Sequence, residues 1–347
     1  MGNCGSSAGG GSAPSQADER EAACSGGESE RILSPHRHMA TGVCASGRVG
    51  EWISCDDSGT IALVRWAAGG GSERWVGHPK SVTRLASAAW LNGVVSASRD
   101  TSIRVWHRGS PSAPAAKLDG HDLTVSALAI SDSHCGRVVS GSRDSTVRLW
   151  DASIASCVSS VYIARNVVTC AAWGGEGSQF VWQGSEDLRL RLWDIRAMAK
   201  PSVTLEGYTC FPMCISSYEQ KCVTGSNGFS GGGDGGGCEL RIWDLRNHRQ
   251  EALLTAHTHA VTGVALLPGQ MIASAARDGT LHLWKASGAD WRVVDTRHLG
   301  SGATALAPAR HDELEARFYA TTADGAVRAF AAGDSGLRQV CIAASSA

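Results

Sequence analysis

Residues 140–151 read Ser-Gly-Ser-Arg-Asp-Ser-Thr-Val-Arg-Leu-Trp-Asp, which sets Asp144 six residues before Trp150. The same interval separates Asp100 from Trp106, Asp187 from Trp193 and Asp278 from Trp284, and Asp324 precedes Phe330 at the same offset. Trp66 and Trp243 extend the series with a blurred aspartate spacing. The anchors then stand at 66, 106, 150, 193, 243, 284 and 330, with steps of 40, 44, 43, 50, 41 and 46 residues. Such a period marks a supersecondary unit that cannot bury its own apolar face and has to stack on copies of itself. Seven units are implied.

Outward from residues 140–151, the third unit begins at Gly120-His121 and passes through a stretch of period-two apolar residues, the signature of a half-buried strand. Gly77-His78 opens the second unit and Ala256-His257 takes the same place in the sixth, with histidine-to-aspartate gaps of 22, 23 and 21 for the second, third and sixth units. These features resemble the WD-repeat family. The resemblance implies an all-β fold, a seven-bladed WD-repeat β-propeller, in which a histidine, a serine two before the aspartate, the aspartate and the tryptophan form a buried hydrogen-bonded chain. On that pattern the second unit supplies His78, Ser98, Asp100 and Trp106, and the third His121, Ser142, Asp144 and Trp150. The fourth keeps Ser185, Asp187 and Trp193 but has Ala164-Arg165-Asn166 where a histidine is expected. The sixth has His257, Asp278 and Trp284, with Ala276 at the serine position. The fifth lacks the aspartate and carries a glycine-rich run over 228–237, which accounts for its 50-residue step. The first and seventh are the most eroded.

Each polar group in such a chain needs a partner once buried, and in series the groups satisfy one another. With several chains incomplete, strand packing has to supply most of the stability.

Seven units of this size use nearly all of the 347 residues, so the propeller is expected over 34–347. Residues 1–33, dominated by Gly, Ser, Ala and scattered acids, are expected to form a disordered tail. Hydrophobic content of 43% is ordinary for a globular protein. No run of eighteen apolar residues that could cross a bilayer as a helix occurs. Net charge is −1 with no basic cluster, which argues against broad nucleic-acid binding. The twelve cysteines are scattered, with Cys44, Cys170, Cys222 and Cys341 in apolar strand contexts. That usage fits free core thiols in a reducing compartment better than disulfides. Cys210, Cys214, Cys222 and Cys238 lack the tight pair-and-pair spacing of a zinc site. No metal or cofactor is expected.

The amino terminus carries a second signal. Met1-Gly2-Asn3-Cys4-Gly5-Ser6 fits the N-myristoylation pattern at Gly2, and Cys4 invites palmitoylation. One myristoyl chain binds membranes only marginally, so a second chain or a polybasic patch is needed. Up to residue 34 the tail holds five acids and two arginines, a net of −3, so an acyl pair would have to act alone. The alternative is a Gly/Ser-rich tail that happens to begin with these letters.

Several motifs look catalytic. Gly228-Phe229-Ser230-Gly231-Gly232 matches a hydrolase nucleophile pattern, but it sits in a glycine run between strands rather than on a strand-to-helix elbow. Gly231, Gly233 and Gly236 have dinucleotide-loop spacing without a βαβ unit around them. His257 and His259 read as a chain histidine beside a surface one, and Arg165 as a solvated arginine or part of a partner site.

Three stretches narrow the resemblance: Arg165-Asn166-Val167-Val168-Thr169, the segment from Ser185 to Trp193-Asp194, and the fifth unit with Ser226-Asn227-Gly228-Phe229 and Trp243-Asp244-Leu245-Arg246. Together with the Met1-Gly2 start they are similar to a cilium-associated branch of the family. This implies a non-enzymatic scaffold at the cytoplasmic side of the ciliary membrane or base. Its partners would be ciliary transport components and small-GTPase regulators, its contact with membrane would be the acylated tail, and it would act as a monomeric propeller within a complex. Competing classes are a propeller hydrolase or phosphate-handling enzyme, a ubiquitin-ligase substrate receptor or other cytosolic adaptor, and a G-protein β-like subunit. The last would need a long amphipathic amino-terminal helix, which a Gly/Ser tail does not form.

Overall fold

The computed structural model describes residues 20–22, 30–32 and 34–340, apart from 49, 66–70, 109–111, 165, 175–177, 229–236, 289, 310–315 and 334–335. Gly2, Cys4, Arg165, Trp66, Cys341 and most of the glycine run therefore lie outside the described residues. Within the segment read as a disordered tail, Arg20–Ala22 and Glu30–Ile32 pair as two short antiparallel strands.

From residue 40 onward the chain forms seven four-stranded antiparallel sheets. Blade three shows the plan: Val125–Ile130 innermost, then Arg137–Ser142, Thr146–Asp151 and Ser156–Tyr162. The others occupy residues 40–76, 82–118, 168–205, 212–255, 261–298 and 303–339, each with consecutive strands paired to the next in order. The single helical element among the described residues is a 3-10 turn at Ala89–Leu91. No helix among them is long and apolar enough to cross a membrane.

Alternation along each strand sends one set of side chains toward the preceding blade and the other toward the following one, so the apolar core lies in the seams. Val147, Leu149 and Val139 of blade three pack on Val168, Val181 and Trp193 of blade four. The ring closes the same way: Val43, Trp52 and Val64 of blade one pack on Tyr319, Val327 and Ala329 of blade seven, with the Trp52 and Tyr319 rings 5.3 Å apart. Each blade supplies all four of its own strands, so closure is non-covalent and needs no strand exchanged between the two ends.

The turn between second and third strands puts at least one residue in the left-handed region in every blade: Gly59, Thr101, Ser145, Leu188, Gly237 with Cys238, Gly279 and Gly325. At Gly59 a Cβ would lie 2.1 Å from the carbonyl oxygen of His78, so no side chain fits.

Candidate functional site

In blade three, Nδ1 of His121 lies 2.8 Å from Oδ2 of Asp144 and Nε2 lies 2.7 Å from Oγ of Ser140, while the Trp150 indole N–H donates to the same oxygen at 2.7 Å. With Nδ1–H given to the carboxylate, Nε2 accepts the serine proton and the serine oxygen accepts the indole proton. Blade two repeats this with His78 at 2.9 Å from Asp100 and 2.7 Å from Ser96, and Trp106 at 2.8 Å from Ser96. The serine in the chain thus stands four residues before the aspartate, which corrects the expected Ser98 and Ser142. Those two cap the turn instead: Ser142 Oγ donates to Leu123 O and accepts from Asp144 N, and Ser98 Oγ does the same between Ser81 O and Asp100 N.

The same register corrects the sixth unit. Ala276 occupies the turn-capping position, and the chain serine is Ser274, 2.8 Å from His257 Nε2 and 2.9 Å from Trp284 Nε1. Here Thr280 Oγ1 is the closer partner of His257 Nδ1 at 2.9 Å, with Asp278 at 3.5 Å. Burial by itself would raise Asp100, Asp144 and Asp278; hydrogen bonds from the histidine and from the hydroxyl two residues later outweigh it and hold all three well below the usual carboxylate range.

The incomplete units solve the same problem with other chemistry. In blade four Trp193 donates to Gln183 Oε1 at 3.3 Å, and the buried Arg191 takes over from the histidine, binding Ser185 Oγ at 2.7 Å and pairing with Asp187. Ser185 is again a turn residue, donating to Asp187 at 2.7 Å. Blade five uses a phenol: Trp243 donates to Tyr208 Oη at 2.9 Å, and Tyr208 lies 2.8 Å from Thr224 Oγ1. Blade one has a histidine chain without an indole, with His36 at 3.0 Å from Asp56 and 2.8 Å from Ser54. Val64, opposite Trp52, fills the position that Trp106 holds opposite Val94. In blade seven Arg328 donates to Thr322 at 3.0 Å and Phe330 stacks on Phe318 at 5.4 Å.

A second polar system runs around the central channel. Each innermost strand carries a β-bulge at its second residue: Thr41, Thr83, Ser126, Thr169, Met213, Thr262 and Thr304. A bulge re-aims its side chain, and here the hydroxyl reaches the next blade. Thr41 donates to Val82 O at 2.5 Å, Thr83 to Val125 O at 2.5 Å, Ser126 to Val168 O, Thr169 to Pro212 O at 2.5 Å and Thr262 to Ala303 O at 2.8 Å. At the fifth blade Met213 breaks the series and the Cys214 thiol substitutes, 3.4 Å from Val261 O. Thr304 turns to Thr321 at 2.9 Å and stays within its own blade. The sequence signal was legible: a small apolar residue followed by Thr or Ser at 40–41, 82–83, 125–126, 168–169, 261–262 and 303–304.

The channel inside this girdle has a volume of about 380 Å³, and Arg84 reaches across it to Thr169 O at 3.4 Å. Burial pushes the Cys170 thiol up to about 11 and raises Cys214 too, so both are protonated and poorly nucleophilic at neutral pH. Cys44, Cys55, Cys170, Cys214, Cys222 and Cys238 are buried, whereas Cys135 and Cys157 are exposed, unlike the expected core thiols.

The loops entering each blade and the turns between second and third strands lie at one end of the ring, because the start of each innermost strand pairs with the end of the second, as Val125 does with Ser142. On that face Met39, Leu123 and Leu188 are 41%, 52% and 38% exposed.

The family model described as WD domain, G-beta repeat, matches residues 71–107, 112–151 and 249–285, the spans that hold the tryptophans of the three complete histidine–serine–tryptophan chains. Similar proteins include Nuclear distribution protein PAC1 of Ajellomyces capsulatus, 29% identical over 74% of this chain and 59% of its own length, and its namesake in Arthroderma otae, 25% identical over 74% and 60%. Nuclear distribution protein nudF 1 of Talaromyces marneffei is 25% identical over 35% of this chain and 25% of its own. The chain spans about 60% of the length of the PAC1 relatives. Among solved structures, U3-55K superposes with a TM-score of 0.73 at 18% identity, covering 84% of this chain and 91% of that one. The chain is an all-β, seven-bladed WD-repeat propeller.

Proposed function

We propose that this propeller is a non-enzymatic scaffold that binds proteins through its loop-bearing face and is held at a membrane by its amino terminus. The observation that carries the scaffold reading is that face: Met39, Leu123 and Leu188 stand exposed on loops whose backbones are pinned by the buried chains beneath them. A stiff ring with apolar side chains on its rim suits partner recognition. The tether rests on Gly2 and Cys4 alone. The ciliary setting, with transport components and small-GTPase regulators as partners, rests on the likeness of the fourth and fifth units to WD repeat-containing protein 31.

A second reading follows the relatives named nuclear distribution proteins and dispenses with the tether, making the chain an adaptor that acts without acylation. Proximity labelling with wild type, Gly2→Ala and Leu123→Glu/Leu188→Glu separates these. The tethered scaffold requires Gly2→Ala to leave the membrane fraction and the double variant to lose partners while keeping its fold. Retention of Gly2→Ala at the membrane sinks the tether. Recovery of ubiquitin-ligase adaptors in place of transport components would identify a substrate receptor.

A further inference from the structure

Arg84 is the residue just past the bulge of its innermost strand, opposite Ala97. The same register position holds Gly42, Ala127, Cys170, Cys214, Gly263 and Ala305 in the other blades. Those residues are small and uncharged, so a long cation at this place is particular to blade two and is not needed to build the ring. Its side chain lines the channel of about 380 Å³, a volume that takes a small ligand.

The guanidinium has five N–H donors and uses few of them. Nη1 donates to Thr83 O at 2.9 Å and Nη2 reaches Thr169 O at 3.4 Å, both of them uncharged carbonyls. Nε donates to nothing among the described residues and is not sealed off from the channel. No carboxylate among those residues pairs with Arg84. The thiols that share its field, Cys55, Cys170 and Cys214, are kept protonated by burial and bring no counter-charge. Thr83 and Thr169 are the second residues of their strands, which places the guanidinium at the loop-bearing end of the channel. Asp132, the acid on the channel lining, stands six residues beyond Ser126 on blade three, about 20 Å away toward the other end. A partly buried guanidinium with spare donors and no counter-ion matches a negative group that accepts a fork of N–H bonds.

We propose that the loop-bearing end of the channel is an oxyanion site, in which the Arg84 guanidinium binds a carboxylate or phosphate group. The group belongs either to a free phosphate or to an acidic side chain of a polypeptide. The site goes beyond the scaffold reading and does not rest on it.

The test is nitrogen-15 NMR of the Arg84 Nε signal in the full chain, assigned by its loss in Arg84→Ala. Inorganic phosphate and N-acetyl-L-glutamate methylamide are titrated at constant ionic strength, with N-acetyl-L-glutamine methylamide as the uncharged control. The signal should move saturably with at least one of the two anions and stay in place with the glutamine. Phosphate as the tighter ligand identifies a free oxyanion, and the glutamate as the tighter ligand identifies a polypeptide carboxylate. Arg84→Ala installs the residue that blades three and seven carry, so the ring should fold. By calorimetry it should weaken the tighter anion about tenfold or more, the factor of a hydrogen bond to a charged group. Arg84→Lys, a point charge without the fork, should fall between the two. An unmoved Arg84 signal at about 10 mM of both anions, equal affinity in Arg84→Ala, or an equal shift with the glutamine control overturns the site.

Discussion

The phenol of Tyr208 accepts the indole N–H of Trp243 at 2.9 Å, joining residues 35 apart in the chain. It does so where blades two, three and six use a histidine and a serine. Burial raises the phenol far above its ordinary value, so the hydroxyl stays protonated and serves both Trp243 and Thr224. Tyr208→Phe leaves two buried polar groups without a partner and should cost about 1–3 kcal/mol, read as a lower urea midpoint. An unchanged midpoint would show that blade five does not depend on this phenol.

Ser140 and Ser142 should part company on mutation. Ser140→Ala strips a partner from both His121 and Trp150, costing about 2–3 kcal/mol, whereas Ser142→Ala, equally buried, loses only its turn bonds to the Leu123 carbonyl and the Asp144 amide, at about 1 kcal/mol. Chemical denaturation of the pair decides it, and equal losses would refute the assignment of the chain serine.

Trp150 is 1% exposed and fills the seam between blades two and three with Val95 and Leu128. Trp150→Ala combines lost burial with a cavity and should cost about 3–5 kcal/mol. A melting temperature within a degree or two of wild type would contradict it.

Acid should unfold the ring in two stages. Burial first, and the nearby His257 second, lower His282 from its ordinary 6.5 to about 4. The unfolded chain therefore binds that proton more readily, and stability is complete above pH 6.5 and declines from there toward about 4. The depressed Asp100, Asp144 and Asp278 act in the next window, their contribution present above the ordinary carboxylate value of 3.8 and lost as pH falls below it. Urea midpoints from pH 7 to pH 3 should show a gentle decline and then a steeper one, with His282→Gln flattening the first. A flat profile down to pH 4 would exclude the histidine contribution.

The hydroxyl girdle predicts unequal seams. Thr83→Val leaves the Val125 carbonyl without its donor and should cost about 1 kcal/mol. Thr304→Val, whose hydroxyl stays within blade seven, should leave closure of the ring intact. Hydrogen exchange at the two seams measures the difference, and an opened seam between blades seven and one in Thr304→Val would overturn this account.

The number of blades, the strand alternation and the three complete histidine–aspartate–tryptophan sets could be read from spacing alone, because each belongs to a local period that survives without its neighbours. Which serine joins the chain could not. Ser140 and Ser142 share a face of one strand, and two residues of rise put them about 7 Å apart, so only the cross-strand register shows that Trp150, opposite Val138, reaches Ser140. The substitutes were hidden for a related reason: Tyr208, Gln183, Arg191 and His36 keep the bonding pattern while changing residue type or offset. A buried donor requires an acceptor at hydrogen-bond distance, and folding is indifferent to which side chain brings it.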